Sequence, residues 1–368
     1  MKRLILTIAL ATIIAASALA QLPSDSTLRR WAAQMLMVGF KGNTADAQSD
    51  AARYISDLHV GAIVLFDVDL TGDATIGSRN ITSKHQLQQL TGSLQSFADY
   101  PLLIALDQEG GRVARLKPQY GYKPTVSAAY LGRVNKKDTT RLYARQMADD
   151  LASSGVNVNL APVVDVDDPR CPAIGKLNRS FGDNKRIVRN ASWIIGEHHK
   201  RHVLCTLKHF PGHGSATSDS HWGFVDVTNT WSANELEPFK RLTRKADLVM
   251  TAHIFNRNID PDYPATLSRK TIDGILRKQL HYDGVVVSDD LYMEGIINQY
   301  SIDRALVLAI NAGVDLICVG NNINTGFEAD RPFRIVDLIV NAVKSGRIPA
   351  GRLQQSHERL NRLYKKLK

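Results

Sequence analysis

Cysteine is scarce in this sequence, with 3 residues in a chain of 368. Cys171, Cys205 and Cys318 are odd in number and can close at most one internal disulfide, so a disulfide-dense scaffold is excluded. Cys205 and Cys318 stand within apolar runs, which predicts that both thiols are buried. A hydrophobic content of 44% with 22% charged residues excludes a disordered or collagen-like chain and indicates a packed core.

Long apolar runs are absent except at the start of the chain. A short basic start precedes an almost unbroken apolar run over residues 4–20, which ends in the small-x-small pattern Ala-Leu-Ala before Gln21. This pattern is typical of a secretory signal peptide over residues 1–20, with a single membrane anchor as the alternative. We expect cleavage to release one domain, residues 21–368, as a secreted, periplasmic protein that is not stably inserted in the membrane.

A concentrated basic stripe is also absent. Lys and Arg number 46 against 36 Asp and Glu, a formal charge of +10, but they are scattered along the chain. Nucleic-acid binding requires clustered basic residues together with a reading motif, so we expect no nucleic-acid partner. The excess charge indicates a solvated surface, and it would also suit weak attraction to anionic cell-wall polymers.

Short apolar runs alternate with longer segments of helical period along the chain. Runs that are apolar throughout are typical of strands buried on both faces of a parallel sheet. The strand-like runs cover residues 34–40, 60–66, 102–107, 156–166, 204–210, 248–254, 284–289 and 316–320. The helical segments cover roughly residues 44–58, 85–98, 137–154, 185–200, 233–246, 268–280, 301–312 and 332–346.

Eight alternating strand and helix units predict an α/β fold, a (β/α)8 TIM-type barrel in a single domain. Residues 350–367 form an extra C-terminal helix outside the eight units. An open doubly wound sheet is the alternative, but no Gly-rich dinucleotide fingerprint opens the first helix.

Polar residues collect where five of the predicted strands end, at the edge of a barrel that carries active sites. They are the run Asp107–Arg112 after strand three, Asp165, Asp167 and Asp168 after strand four, Lys208 and His209 after strand five, His253 after strand six, and Asp289 and Asp290 after strand seven. Burying polar groups there costs free energy unless they are paired or used, so the pattern predicts a functional pocket.

The segment after strand five, residues 208–221, reads KHFPGHGSATSDSH. Gly212 and Gly214 permit backbone conformations that other residues resist, and a long loop in a compact barrel is usually functional. Asp219, two residues before His221, can accept a hydrogen bond from the imidazole and raise its basicity. Histidine titrates near neutral pH, which suits a group that first donates and later accepts a proton. The alternative is an Asp-x-His turn that only caps the next segment.

Asp289 is the second chemical candidate, because a carboxylate at a strand end can attack carbon as a nucleophile. Its alternative role is a helix N-cap. Asp290 should point away from the pocket if strand alternation continues, and we expect it to cap or orient the next segment.

These motifs together resemble glycoside hydrolase family 3, in its β-N-acetylhexosaminidase branch. The resemblance spans about residues 30–345, and the run 208–221 is its most specific part because residue types and spacings both match. The weaker motifs occur in the expected order and cover residues 107–112, 179–182, 264–268 and 288–291.

The resemblance implies a retaining, two-step exo-β-N-acetylglucosaminidase that needs neither metal nor cofactor. Asp289 matches the family nucleophile, His221 the acid/base and Asp219 the partner of that histidine. Five further positions match residues that hold the terminal sugar: Asp107, Arg115, Arg179, Lys208 and His209. The implied partner is a glycan ending in N-acetylglucosamine, either a cell-wall muropeptide or a chitooligosaccharide, and phosphate could replace water as the acceptor.

Two departures from the family pattern are visible. Three residues separate Gly175 from Arg179 where about one is expected, which predicts a reshaped loop. Larger relatives carry a second α/β domain that supplies a carboxylic acid/base, and we expect the loop histidine to serve in its place.

Two other functions stay open at this point. A metal-dependent barrel hydrolase could gather His209, His213, His221, His253 and Asp289 around Zn²⁺, although strand one lacks a His-x-His pair. A glycan-binding protein without turnover could keep the sugar pocket alone, although the intact Asp289 and His221 argue against it.

Overall fold

The computed structural model describes residues 22–72, 74–323 and 325–367. The predicted signal peptide and its cleavage site lie outside the described residues. No helix among the residues described is both long and apolar enough to span a bilayer.

Eight parallel strands, numbered β1 to β8, form a barrel. They are Leu36–Val38 (β1), Ala62–Val64 (β2), Leu103–Leu106 (β3), Val158–Asn159 (β4), Leu204–Phe210 (β5), Leu248–Thr251 (β6), Val285–Ser288 (β7) and Ile317–Val319 (β8). They pair in the order β7-β6-β5-β4-β3-β2-β1-β8, and a parallel bridge from Val287 to Leu316 brings the two outer strands together. The ring is nearly closed, and the predicted TIM-type barrel is confirmed.

One helix precedes β1, most of the others follow the strands and cover the outside of the barrel, and the last follows the eighth unit. They are Asp25–Gln34, Asp50–Ala52 with its π-helical continuation Arg53–Asp57, Lys84–Ser96, Ala128–Val134, Lys137–Ser153, Asn184–His199, Glu237–Leu242, the π-helix Lys270–Gln279, Glu294–Ile297, Ile302–Ala312, Arg331–Lys344 and Ala350–Tyr364. Two small ribbons lie outside the barrel, Gln108–Gly110 with Val113–Ala114 and Val225–Asp226 with Ile254–Phe255.

Two predicted elements are shorter than expected. The first barrel helix begins at Asp50 rather than near residue 44, because Ser49 caps it by accepting a hydrogen bond from the Ala52 N–H. The fourth strand covers two residues rather than 156–166. Pro162 lies in this segment and has no N–H to donate to a neighbouring strand, which interrupts the ladder.

Side chains alternate between the barrel interior and the helical layer. Met37 of β1 points into the barrel, while its neighbours Leu36 and Val38 join the apolar layer beneath the helices. The same alternation places Leu103, Leu204 and Leu248 inside. Burying each such side chain contributes about 1.5–3 kcal/mol, so the interior is a packed core rather than a pore.

The C-terminal helix Ala350–Tyr364 closes the floor of the barrel. Its Leu360, Leu363 and Tyr364 pack into the apolar barrel interior, and the Tyr364 hydroxyl donates to the carbonyl of Gly61 at 3.2 Å. The floor is therefore sealed, and the opposite end of the barrel is the end available to a ligand.

The three cysteines are all free and buried, as expected for Cys205 and Cys318.

Candidate active site

A cavity of about 290 Å³ opens at the carboxyl ends of the strands. All eight side chains predicted from the sequence line this one cavity: Asp107, Arg115, Arg179, Lys208, His209, Asp219, His221 and Asp289. They come from the carboxyl ends of β3, β5 and β7 and from the loops after β3, β4 and β5, so the barrel brings together residues far apart in sequence.

Asp107, directly after β3, anchors one side of the cavity. It accepts hydrogen bonds from Lys208 Nζ at 2.7 Å and from Arg115 Nη2 at 3.0 Å. Burial opposes ionisation of this carboxyl, but the charges of Lys208 and Arg115 outweigh burial and lower the pKa of Asp107 well below its usual range. The carboxylate is therefore ionised, and it holds both cations at the cavity wall.

Glu109 extends the same network. Its carboxylate binds Lys208 Nζ at 2.7 Å and accepts from Arg179 Nη2 and Nε at 2.7 and 2.8 Å. Burial opposes its ionisation, but the charges of Arg179 and Lys208 lower the pKa of Glu109 to about 2. Arg179 also donates to the carbonyl of Ala173 at 2.9 Å, so it faces the cavity despite the extra residues that precede it.

Asp165 holds the start of the loop after β5. It is fully buried and accepts from His209 Nδ1 at 2.6 Å, from the His209 N–H at 3.2 Å and from the His213 N–H at 2.8 Å. Burial opposes its ionisation, but the nearby His209 lowers the pKa of Asp165. The ionised carboxylate only accepts, so Nδ1 of His209 carries the proton.

Glycine lets the loop pack closely on its neighbours. Gly212 has a φ of +125°, and a Cβ there would lie 2.7 Å from the Cβ of Glu235. At Gly214 a Cβ would lie 2.2 Å from the carbonyl oxygen of Val166. Both positions exclude a side chain, which is the physical reason for the two glycines of the motif.

Asp219 and His221 form the predicted pair near the end of the loop. His221 Nδ1 lies 2.7 Å from Asp219 Oδ1, and the His221 N–H donates to the same oxygen at 3.0 Å. Burial opposes the charged imidazole, but the hydrogen bond to Asp219 and the charge of Asp289 raise the pKa of His221. Burial likewise opposes ionisation of Asp219, yet its bond to His221 lowers the pKa of Asp219 to about 2. The carboxylate therefore accepts from Nδ1–H and leaves Nε2 for another partner.

Asp289 follows β7 and accepts one hydrogen bond among the described residues, from the N–H of Asp290 at 2.9 Å. Burial opposes its ionisation, but the charges of His253, His209 and His221 lower the pKa of Asp289. The mutual influence of Asp289 and His221 means that the carboxylate and the loop imidazole lie in one electrostatic environment.

Asp290 acts on the following segment, although it also borders the cavity. Its two oxygens accept from the N–H groups of Tyr292 and Gly320, each at 3.0 Å. Burial raises the pKa of Asp290 to about 6. His253 Nε2 donates to the Asp290 carbonyl at 2.9 Å, so it supports the β7 end from β6.

Two residues of this site, Glu109 and Asp165, belong to strand-end motifs, but the sequence assigns them no individual role. Glu109 lies in the same motif as Asp107, and Asp165 lies at the end of predicted strand four. Their signal is a carboxylate at a strand end, but only the fold shows that they pair with Arg179 and His209.

The metal alternative gains no support from the geometry. Within residues 22–72, 74–323 and 325–367, no group of three or more His, Cys, Asp or Glu side chains is arranged to hold a metal ion. The four histidines of that hypothesis each form a hydrogen bond with a different residue. The pairs are His209 with Asp165, His213 with Ser220, His221 with Asp219 and His253 with Thr266.

Ionised carboxylates and a carboxylate-bound histidine at the mouth of an α/β barrel define an enzyme active site of the barrel-hydrolase class. Comparison with known families agrees with this class. The model described as "Glycosyl hydrolase family 3 N terminal domain" matches residues 27–363. The chain belongs to glycosyl hydrolase family 3, and it is a glycoside hydrolase.

Relatives similar in sequence come from several bacteria. A beta-hexosaminidase of Idiomarina loihiensis is 37% identical over 254 residues, covering 67% of this chain and 75% of the relative. One from Xylella fastidiosa is 34% identical over 296 residues, covering 77% and 83%.

Solved structures show the same similarity. A family 3 beta-N-acetylglucosaminidase of Paenibacillus sp. FPU-7 has a TM-score of 0.82 and 34% identity, over 92% of this chain and 62% of its own length. A beta-N-acetylhexosaminidase of Beutenbergia cavernae has a TM-score of 0.80 and 27% identity, over 92% of this chain and 98% of its own length.

Proposed function

We propose that this chain is an exo-acting, retaining β-N-acetylglucosaminidase in which Asp289 is the nucleophile, His221 the acid/base and Asp219 the group that orients His221. The observation that carries the proposal is that all three side chains line one cavity, with Asp289 and Asp219 both raising the pKa of His221. The beta-hexosaminidase relatives support the same class of substrate.

The first step forms a covalent glycosyl-enzyme. A carboxylate oxygen of Asp289 attacks the anomeric carbon, and the bond from that carbon to the leaving oxygen breaks. His221 Nε2 gives its proton to the leaving oxygen and becomes neutral. A neutral imidazole adds no second negative charge beside Asp289, and Asp219 holds the ring in place through Nδ1–H.

The second step releases the sugar. Water attacks the anomeric carbon, gives a proton to His221 Nε2, and displaces Asp289 as a free carboxylate. Two displacements at one carbon return the original anomeric configuration, so the product keeps the β configuration.

The shape and charge of the cavity favour a single terminal sugar. Its volume of about 290 Å³ is at the lower end of the range for small-molecule sites. Asp107 accepts hydrogen bonds, while Arg115 and Lys208 donate them, which suits the hydroxyl groups of a sugar ring.

We propose that the enzyme is exported to the periplasm and that it cleaves muropeptides or chitooligosaccharides there. The test is product analysis with a muropeptide and chitobiose in parallel, with and without phosphate. Release of N-acetylglucosamine in the β configuration is the expected result. N-acetylglucosamine 1-phosphate formed only with phosphate would indicate phosphorolysis, and failure to cleave either substrate or an aryl N-acetyl-β-glucosaminide would overturn the proposal.

The two other functions predict different outcomes in the same assay. Loss of activity after exhaustive chelation, restored by Zn²⁺, would favour the metal-dependent hydrolase. Tight glycan binding without turnover would favour the binding protein. Export is tested by cell fractionation and by sequencing the N-terminus of the mature protein, which should begin at Gln21.

A further inference from the structure

Asp67 is a cavity carboxylate to which neither the sequence nor the mechanism assigns a role. It follows β2, its side chain is fully buried, and it lines the same cavity as Asp107, Arg115 and Asp289. None of the motifs that carry the family resemblance includes this position.

The two carboxylate oxygens of Asp67 differ in their contacts. Oδ2 accepts from Lys117 Nζ and from the Tyr120 hydroxyl at 3.3 Å. Oδ1 has no hydrogen-bond partner among the described residues, and Arg115 Nη1 lies 3.8 Å away from it. Nε of Arg115 is buried as well and has no hydrogen-bond partner within the part of the chain that the structure describes. Buried polar atoms are rarely left unpaired, so an unpartnered oxygen in a cavity wall indicates a place for a ligand donor.

The position of Asp67 in the barrel decides which part of a sugar it can reach. Asp289 ends β7, and β8 and β1 lie between β7 and β2 around the ring. Asp67 is therefore across the mouth from the carboxylate proposed to bond the anomeric carbon. A pyranose between them would present its C3, C4 or C6 hydroxyl to Asp67.

We propose that Asp67 Oδ1 accepts a hydrogen bond from a hydroxyl group of the terminal sugar, at the end of the ring away from the anomeric carbon. This assignment rests on the proposed function. Asp67 is thus a specificity-determining residue, and Lys117 and Tyr120 hold its other oxygen in place.

A purely structural role predicts a different energetic pattern. If Asp67 only neutralised Lys117, its removal would change turnover by one common factor for every substrate. A bond to a particular hydroxyl changes turnover only for substrates that carry that hydroxyl.

The experiment compares wild type with Asp67→Asn on an aryl N-acetyl-β-glucosaminide and its 3-deoxy, 4-deoxy and 6-deoxy analogues. We expect Asp67→Asn to lower kcat/KM about 10- to 100-fold on the parent, the range for a hydrogen bond to a charged group. On one deoxy analogue the variant should differ from wild type by no more than about twofold.

Asp69→Asn is the matched control, because Asp69 lies in the same loop but its oxygens are filled by Thr71, Arg79 and Lys41. It should change kcat/KM by one factor on all four substrates. The same factor for Asp67→Asn on all four would overturn the assignment while leaving the glycosidase intact. Absence of wild-type turnover on the parent would overturn the proposed function, and this assignment with it.

A second measurement does not depend on a folded variant. A crystal structure of the wild-type protein with N-acetylglucosamine should place a ring hydroxyl within about 3.2 Å of Asp67 Oδ1. A bound sugar with no oxygen within 3.5 Å of that atom would overturn the assignment.

Discussion

Two clusters of buried charge lie at opposite ends of this barrel, and they differ in how fully their carboxylates are paired. At the floor, Asp315 accepts five hydrogen bonds, from Arg277, Arg352, Arg359, Ser356 and the Val286 N–H. At the mouth, and counting donors from the described residues, Asp289 accepts only the N–H of Asp290, and one oxygen of Asp67 has no hydrogen-bond partner.

This difference in hydrogen bonding distinguishes carboxylates that stabilise the fold from carboxylates that act on a ligand. A carboxylate whose oxygens are all filled by protein donors holds elements together, as Asp315 ties the C-terminal helix to the base of β7 and β8. A buried carboxylate oxygen that lacks a protein donor still needs a hydrogen-bond partner, and in a cavity that partner is a ligand. The same substitution at the two ends should therefore have opposite consequences.

Asp289→Ala should produce the largest effect on activity. We expect kcat to fall by at least about 10⁴-fold, the scale seen when a catalytic nucleophile is removed. The free energy of unfolding should be unchanged or higher, because an under-paired buried charge is removed. Steady-state kinetics and urea unfolding measure the two quantities.

A labelling experiment on the wild-type protein tests the same assignment. A 5-fluoro sugar should label Asp289, and a label on Asp290 would show that the nucleophile is Asp290 instead.

His221→Ala should slow turnover about 10²- to 10⁴-fold on substrates with poor leaving groups, the usual contribution of a general acid. The loss should be much smaller for dinitrophenyl glycosides, since their leaving groups need little protonation. A series of aryl glycosides measures this dependence. An equal loss across the series would contradict the acid role and leave His221 as a binding residue.

Asp315→Ala tests the other end of the comparison. Breaking a buried ion-pair cluster by removing one partner costs about 3–5 kcal/mol of unfolding free energy. The kcat of the folded protein should stay within about twofold of wild type, because Asp315 lies at the floor. Unfolding in urea and active-site titration measure the two effects. A selective loss of kcat in a fully stable variant would contradict the separation of roles.

Among the three active-site variants, Asp219→Asn should have the smallest effect on rate and the most informative pH dependence. Ionised Asp219 raises the pKa of His221, so its loss should lower that pKa. The acid form of His221 exists below its pKa, and the alkaline limb of kcat/KM should therefore move to lower pH. The acid limb, governed by Asp289, should stay in place. We also expect a rate loss of about 10-fold or more from the lost charged hydrogen bond. An unshifted alkaline limb would show that another group donates the proton.

Much of the fold could be predicted because its signals are local. Fully apolar runs mark strands buried on both sides, and all eight were found near their true positions. The strand around residues 156–166 is shorter than its apolar composition predicts, because continuous pairing ends at Asn159 and resumes beyond Pro162 only as an isolated bridge from Val163 to Lys208. The eight proposed site residues share one cavity, whereas their catalytic and binding roles stay predictions.

Asp67 could have been found from the same signal as Asp107, since both follow an apolar strand directly. Its unpartnered oxygen could not be predicted, because that depends on where Lys117 and Tyr120 lie in space. The same holds for Glu109, whose partners Arg179 and Lys208 are 70 and 99 positions further along the chain.

The order of residues alone determined the alternating strand and helix units, the strand ends at which polar groups follow and the short-range contact of Asp219 with His221, because each of these signals lies within a few positions of the chain. The tertiary structure alone decided which carboxylates have protein hydrogen-bond donors on both oxygens and which have an oxygen available to a ligand. Pairing over long sequence separations is set by how strands and loops pack, and that packing gives Asp315 and Asp289 opposite roles in one barrel.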